Sequence, residues 1–538
     1  MIKILKGFLV LFLTFFIANS SIAGQCDIQI LHTNDVHGRL LPFELGISDY
    51  NKDVGGIARR VTLIKTLQKQ NNNSCFLILD AGDFAQGTIF FNLYNGIPDV
   101  EFMNKLHYDA LTIGNHEFDK GSEVLAAMID EAKFPFLAAN LSFNEKSPLY
   151  KKTLPYTIID CKGCTVGIIG LVTDEVRIIS NIGEHTKVLD PAGSAQKYIN
   201  EIKNKTDLII ILSHLGYEED KKLSGKISGA NIIIGGHSHT TTYKPTIVKD
   251  LNNNDVIIVQ AGEFGKNLGS LKVSVDNDRV SLIDFNLIPV DSTIKPDTEV
   301  NKTLDRLKLE YEKIATKIVG ETKTFINLIR DEVRTKETSG GNFFVDAIKY
   351  KFPEVDVVLQ NGGAIRSDRI LPPGKISLAE IIEIHPFENE VILFDLKGKD
   401  LKACLERSVS ALPYSQGGFL QVSGLVFTAD VSNPPQVLSE NYLQIKKNGN
   451  RVVNVFVNGS PLDPEKTYRI ASNSYLLNGG DGFWPMKKGA TNIYNTGMSI
   501  TQVVVDYLEK NSPVNPEVED RIKVINIPGY VKKKLQRQ

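Results

Sequence analysis

The sequence has almost no surplus of charge: 61 Lys and Arg stand against 63 Asp and Glu, a net −2 at pH 7. It lacks the basic field that draws a protein to nucleic acid, so no nucleic-acid partner is expected. Its one basic cluster, Lys532-Lys533-Lys534-Leu535-Gln536-Arg537, reads as a solvated tail. Long apolar runs are missing too, apart from the first residues. There Lys3 and Lys6 precede an apolar stretch from Phe8 to Ile17 and a small-residue cleavage site, Ser21-Ile22-Ala23. The stretch is short for a membrane span, so residues 1–23 read as a signal peptide. No apolar C-terminal tail suggests a lipid anchor, and Gln25 is bulky where a lipidated Cys26 would want a small neighbour. The expected protein is exported, to periplasm or medium, with no stable membrane anchor.

Cysteine is scarce, with five in the chain. Cys161-Lys162-Gly163-Cys164 lies between two strand-like runs, 156–159 and 166–169, and looks like a hairpin turn. No second close pair exists to complete a zinc site. With export as context, the expectation is a local Cys161–Cys164 disulfide, a redox pair being the alternative.

Internal repeats and low-complexity tracts are also absent. From about residue 27 to 290 apolar strands alternate with helical stretches, which suggests an α/β sandwich with sheets inside and helices outside. Val300, Leu304, Leu307, Tyr311, Ile314 and Ile318 then recur every three or four residues, the apolar stripe of one helix ended by Gly320. A second α/β block follows. The boundaries fall at 24–296 for the first block, 297–320 for a linker helix and 321–538 for the second.

What is present is a recurring juxtaposition. Runs at 28–31, 76–79, 110–113, 208–212 and 232–234 each empty into residues able to hold a metal. They lead to Asn34-Asp35-Val36-His37, Asp80-Ala81-Gly82-Asp83, Gly114-Asn115-His116-Glu117-Phe118-Asp119, Ser213-His214 and Gly235-Gly236-His237-Ser238-His239. Strand ends on one edge of a sheet converge, so distant residues can share a cavity. One such histidine would read as a core or surface residue, but five of the nine in the chain stand at these ends. Asp35, Asp83, Asn115 and the imidazoles are too many for one ion and suit two. Mixed imidazole and carboxylate ligands suit zinc, manganese, iron or cobalt and not calcium, and the expected pair is zinc, with manganese or cobalt as alternatives. Paired ions of this kind clamp the two oxygens of an in-line displacement.

These motifs resemble the 5′-nucleotidase family of binuclear metallophosphoesterases. The resemblance continues through Gln360-Asn361-Gly362-Gly363-Ala364-Ile365-Arg366, His385-Pro386-Phe387-Glu388-Asn389 and Asn478-Gly479-Gly480-Asp481-Gly482-Phe483, in the family's order. It implies an N-terminal four-layer α/β/β/α metallophosphoesterase sandwich, a linker helix and a C-terminal α/β nucleotide-binding domain. It further implies that Asp35, His37 and His239 hold one ion and Asn115, His214 and His237 the other, with Asp83 bridging. His116 and Asp119 would form a catalytic dyad that does not ligate metal. Arg334 and Arg366 would contact the phosphate and ribose side, and Asn361 and Asn389 the base or pocket wall. Phe387 and Tyr475 would stack on the base, and Asp481 would accept from a ribose hydroxyl. Tyr475 stands where many members have phenylalanine, His239 where some bacterial members have glutamine, and Ala364 where glycine is common.

In chemical terms, His116 would donate a hydrogen bond to the phosphoryl group as charge builds there. Asp119, three residues on, would hold that imidazole protonated and oriented; the alternative for Asp119 is a cap on a helix opening near Ser122. The implied function is an exported metal-dependent 5′-nucleotidase that releases phosphate from nucleoside 5′-monophosphates. The nearest alternatives are a hydrolase of nucleotide sugars, of nucleoside di- or triphosphates or of 2′,3′-cyclic nucleotides, and a non-catalytic nucleotide-binding envelope protein. Because the metal motifs and the nucleoside motifs fall in different blocks, the substrate must lie in a cleft between them.

Overall fold

Ile and Val dominate the runs that become the central strands, and such side chains packed on both faces are what a buried parallel sheet requires. The structure is a computed structural model describing residues 26–43, 53–71, 75–276, 279–387 and 389–527; the signal-peptide reading and the basic C-terminal run fall outside the described residues. In the N-terminal half the chain first lays down Cys26–Thr33 (β1), Cys75–Asp80 (β2), Ala110–Thr112 (β3) and Phe136–Leu137 (β4). It then builds a second sheet from Tyr156–Cys161 (β5), Cys164–Val172 (β6), Leu208–His214 (β7), Ile232–Gly235 (β8), Thr246–Lys249 (β9) and Asp255–Val259 (β10). Asn267–Asp276 (β11) and Arg279–Pro289 (β12) return to the first.

The strand orders are β12-β11-β1-β2-β3-β4 and β9-β10-β8-β7-β6-β5. The strands from β1 to β4 are parallel, as are β6, β7, β8 and β10, so their C-terminal ends share one edge. Alternation along each strand decides what packs where. Ile28, Ile30, Leu77 and Leu79 meet Ile168, Ile210, Leu212 and Ile234 between the sheets. Leu31 and Ile78 face the other way, against Ile57–Gln70 and Ile97–Leu106. Ile169, Ile209, Ile211 and Ile233 face Pro191–Ile202 and Tyr217–Ser224. The result is four layers, helix, sheet, sheet, helix.

The C-terminal half centres on a five-stranded sheet, in the order Leu420–Ser423, Val357–Asn361, Thr467–Asn473, Glu390–Lys397, Thr491–Ser499. One face packs on Ser339–Lys351 and Ile500–Asn511, the other on Gly398–Ser408 and a four-stranded sheet.

The connecting helix is shorter than its apolar stripe suggests. It spans Thr298–Ala315, with Val300 and Leu304 buried in the N-terminal core. Tyr94 Oη donates to Leu307 O at 3.2 Å, while Leu309 is exposed. The side chains of Tyr311 and Ile314 lie outside the described residues. Ile318 does not extend the stripe: Ile318–Thr322 is a strand paired antiparallel with Gly374–Ser377. Gly320 therefore caps no helix; it lies in that strand, where a Cβ would come within 2.9 Å of Leu508 Cβ.

The cysteines pair differently from the sequence expectation. Cys161 is linked to Cys75 and Cys164 to Cys26, with Cα–Cα distances of 5.2 and 6.4 Å. The hairpin does place Cys161 opposite Cys164, but both side chains belong to the core between the sheets, where β1 and β2 present their own cysteines. Each link thus staples one sheet to the other, at the end remote from the converging strand ends. Cys404 is free and buried.

With the partners 138 and 86 positions apart in sequence, loop closure in the unfolded chain assigns each link about 4–5 kcal/mol. Peptide mapping without reduction is expected to recover Cys26–Cys164 and Cys75–Cys161; a Cys161–Cys164 peptide would contradict the pairing. Cys75→Ser is expected to lower Tm by roughly 10 °C, read by calorimetry.

Candidate active site

The parallel strands of both sheets end at one edge, and the loops leaving them turn at once. Asp35, His37, Asp83, His237 and His239 all have positive φ, between 50° and 72°. A branched backbone position at positive φ costs of order 1 kcal/mol, and such strain gathers where a site demands a direction for the side chain. Gly114 shows how tight the turns are, since a Cβ there would stand 2.2 Å from Asp83 Oδ1.

The ring nitrogens show what the cluster is for. His214 Nδ1 donates to Ala81 O at 2.6 Å, His37 Nδ1 faces Ala85 O at 3.3 Å, and His239 Nδ1 bonds Glu263 Oε2. Each Nδ1 thus carries its proton outward, leaving a bare Nε2 lone pair turned inward. Those lone pairs meet other acceptors. His37 Nε2 and His239 Nε2 are 3.0 Å apart, His239 Nε2 is 3.4 Å from Asp35 Oδ1, and His214 Nε2 is 3.0 Å from Asp83 Oδ2. His214 Nε2 is fully buried with no hydrogen-bond partner. Acceptors at such distances repel unless a cation stands among them. Without one, Asp83 and His214 must share a proton: burial opposes both charges, but their attraction drives Asp83 down and His214 up. A divalent cation would take that proton's place.

Ligand atoms of Asp35, His37 and His239 lie within 4.8 Å of one another, as do those of Asp83, His214 and His237, and those of His37, Asp83 and His116. Asn115 Oδ1 joins the second set, 2.9 Å from His237 Nδ1. All seven residues proposed from the sequence as ligands are therefore brought together. The donor set fits two divalent ions.

His116 sits beside this cluster, its Nε2 4.0 Å from Asp83 Oδ2. Its Nδ1 bonds Asp119 Oδ2 at 2.6 Å, and its Nε2 receives Arg366 Nη2 at 3.2 Å. Asp119 does not cap the following helix; Gly121 holds that position without a side-chain bond. Burial raises the Asp119 carboxyl against the pull of His116.

Arg366 comes from the C-terminal half, so the cleft is a joint construction. One cavity of about 1230 Å³ is lined by Asp83, Asn115, His116, Asp119, His237 and His239 from one side. Arg334, Asn361, Arg366, Phe387, Asn389, Tyr475 and Asp481 line it from the other. Phe387 lies 6.3 Å from the His116 ring, with the Arg366 guanidinium 5.8 Å above its own. Tyr475 Oη donates to Asp481 Oδ1 at 3.0 Å and lies 2.9 Å from Ile178 O across the cleft, while Asn361 Nδ2 donates to Asp481 Oδ2 at 2.9 Å. Burial, then repulsion from neighbouring guanidiniums (Arg366 and Arg330 on Arg334, Arg330 on Arg366), lowers Arg334 to about 9 and Arg366 to about 10, and Arg334 Nε has no hydrogen-bond partner. Crowded guanidiniums with donors to spare are an anion site.

The comparisons agree with this geometry. Residues 28–241 match the profile of the calcineurin-like phosphoesterases, and residues 318–489 that of the 5′-nucleotidase C-terminal domain. Human 5′-nucleotidase is 33% identical over 93% of this chain and 91% of its own length. The chain belongs to the 5′-nucleotidase family. A snake venom 5′-nucleotidase from Gloydius brevicauda is 34% identical over 94% of this chain and 90% of its own. The 5′-nucleotidase precursor from Thermus thermophilus superposes with a TM-score of 0.84 at 37% identity, covering 93% of this chain and 100% of that one. Membership makes the protein a metal-dependent phosphoric ester hydrolase of the nucleotide-hydrolysing class.

In this 5′-nucleotidase family member several site residues escape sequence reasoning. Glu117 is fully buried and accepts from the backbone N–H of Gly114, Asp83 and Ala85 at 2.6, 3.0 and 3.0 Å, tying two ligand loops together. Glu175 stands 3.7 Å from His237 Nε2, and Glu263 and Arg330 stand beside His239. The one signal for Glu263 was an acid placed just after an apolar strand.

Gly114→Ala would push Asp83 out of place. The expected result is a soluble protein holding fewer divalent ions per chain than wild type, measured by elemental analysis.

Proposed function

We propose that this chain is an exported 5′-nucleotidase that hydrolyses nucleoside 5′-monophosphates to nucleoside and phosphate. The observation that carries the reading is the single cavity in which the metal-ligand cluster and His116 face Arg366, Phe387 and Tyr475. In the proposed assignment Asp35, His37 and His239 hold one ion, Asn115, His214 and His237 the other, and Asp83 bridges. Zinc is the first choice, with manganese or cobalt as alternatives. When bound, the ions supply Lewis-acid stabilisation of the phosphoryl group and activation of the attacking water.

The chain's own residues do the rest. Arg334 and Arg366 take the phosphate, and the cost of holding their charges together falls once an anion lies between them. His116 gives a hydrogen bond to a phosphoryl oxygen from Nε2 while Asp119 fixes Nδ1. Phe387 and Tyr475 present ring faces to the base at about 1–3 kcal/mol per stacked base. Asp481, kept in place by Asn361 and Tyr475, retains lone pairs for a ribose hydroxyl. Asn361 and Asn389 border the base. Two inter-sheet disulfides support the reading that the protein works in an oxidising compartment, periplasmic or extracellular. Among the described residues no helix is long and apolar enough to cross a membrane.

A second reading draws support from size. A cavity of about 1230 Å³ exceeds the 300–1,000 Å³ usual for small ligands, leaving room for a nucleotide sugar or a longer phosphate chain.

A substrate panel on enzyme of defined metal content separates the two. Phosphate release from nucleoside monophosphates at higher kcat/KM than from diphosphates, nucleotide sugars or 2′,3′-cyclic nucleotides is the expected outcome. Chelator dialysis is expected to abolish hydrolysis and zinc, manganese or cobalt to restore it; full activity of metal-free protein would sink the binuclear reading. His116→Ala should lower kcat by on the order of 10²–10⁴ with about two ions still bound per chain. Loss of metal in that variant would make His116 a ligand.

A further inference from the structure

Glu263 stands in the turn Gly262-Glu263-Phe264-Gly265 that leaves β10, and one of its oxygens serves both halves of the molecule. Oε2 accepts from His239 Nδ1, and from Arg330 Nη1 at 3.1 Å. The two donors are themselves 3.1 Å apart, because both point at that oxygen. Lys266 Nζ takes Oε1 at 3.3 Å. The side chains of His239, Glu263 and Arg330 are 15%, 14% and 18% exposed, so water screens the group weakly. His239 and Glu263 belong to the N-terminal half. Arg330 opens the short helix Arg330–Val333 of the C-terminal half, its own N–H bonded to Asp368 Oδ1 at 2.8 Å. His37 and His214 are held from behind by backbone carbonyls of their own half. His239 is held by a side chain that is also tied across the cleft.

We propose that Glu263 is a positioning residue with two duties: it fixes His239 with Nε2 toward the metal site, and it is the seat on which Arg330 docks when the two halves close. The proposal rests on the binuclear reading above. A carboxylate behind a ligating imidazole sets its tautomer and rotation, and removing such a group typically costs 10–100-fold in metal affinity. An ion pair made only in the closed form stabilises that form by its full strength, since it is absent from the open one.

The variants separate the duties. Glu263→Ala and Glu263→Ser remove both. Glu263→Gln keeps an acceptor for His239 but no charge for Arg330, and Arg330→Met removes the cross-cleft tie alone. Zinc retention is measured by chelator competition on the full chain. Closure is measured by energy transfer between dyes at Tyr243→Cys and Tyr494→Cys, positions 81% and 60% exposed in opposite halves. Glu263→Ala and Glu263→Ser should lose one zinc on the order of 10–100-fold more readily, with Glu263→Gln and Arg330→Met near wild type. All four should shift the dye distances toward the open form. Two zinc ions held as tightly by Glu263→Ala and Glu263→Ser as by wild type would overturn the first duty. Unchanged dye distances in Glu263→Gln and Arg330→Met would overturn the second. A wild type that binds no zinc would instead overturn the binuclear reading, and this proposal with it.

Discussion

Bare lone pairs turned toward one another are the constraint on which the rest of the structure depends. His37 Nε2 and His239 Nε2 stand 3.0 Å apart, and His214 Nε2 faces Asp83 Oδ2 at the same distance. Such an arrangement repels itself and desolvates every member, so the fold must supply the energy that assembles it. It does so with three apolar layers of core, two disulfides at the far end of the sheets and hydrogen bonds behind each ring. The positive φ angles at five ligands are part of the same cost, paid where direction matters. A site built this way is preorganised for cations rather than shaped by them.

Much of this was legible in the sequence because its physics is local. An Ile-rich run ending in Gly, Asp or His names both the strand and the loop that follows it, and parallel topology brings those loops to one edge. The α/β sandwich with helices outside and the convergence of Asp35, His37, Asp83, Asn115, His214, His237 and His239 follow from that. Pairings between distant segments were not legible. Cys161 and Cys164 are close in sequence and opposite in register, yet both side chains face a sheet whose cysteines lie 86 and 138 residues away. The connecting helix ends early because Ile318–Thr322 finds a strand partner at Gly374–Ser377, and no period within the helix encodes that partner. The Glu263–Arg330 contact was invisible for the same reason: it exists only when two halves of the chain meet.

The two halves divide the work by charge. The N-terminal half gathers carboxylates and imidazoles, which attract cations. The C-terminal half brings Arg334 and Arg366, which repel cations and attract phosphate. Neither set is balanced alone, and a metal-bound phosphate ester is the kind of ligand that balances both at once.

The contacts that join the halves follow from this division. Among the described residues, side-chain hydrogen bonds join them: Arg366 on His116, Tyr475 on the carbonyl of Ile178, Asn92 on the carbonyl of Pro386, and Arg330 on Glu263. The Arg366 contact also conflicts with the chemistry proposed for His116. With Nδ1 committed to Asp119, Nε2 accepts from Arg366 here, whereas toward a phosphoryl oxygen it must donate. Both bonds cannot form at once on one nitrogen. In the proposed reading a phosphate oxygen between them would accept from Arg366 Nη2 and, once Nε2 has taken a proton from solvent, from His116 as well, with Asp119 holding Nδ1.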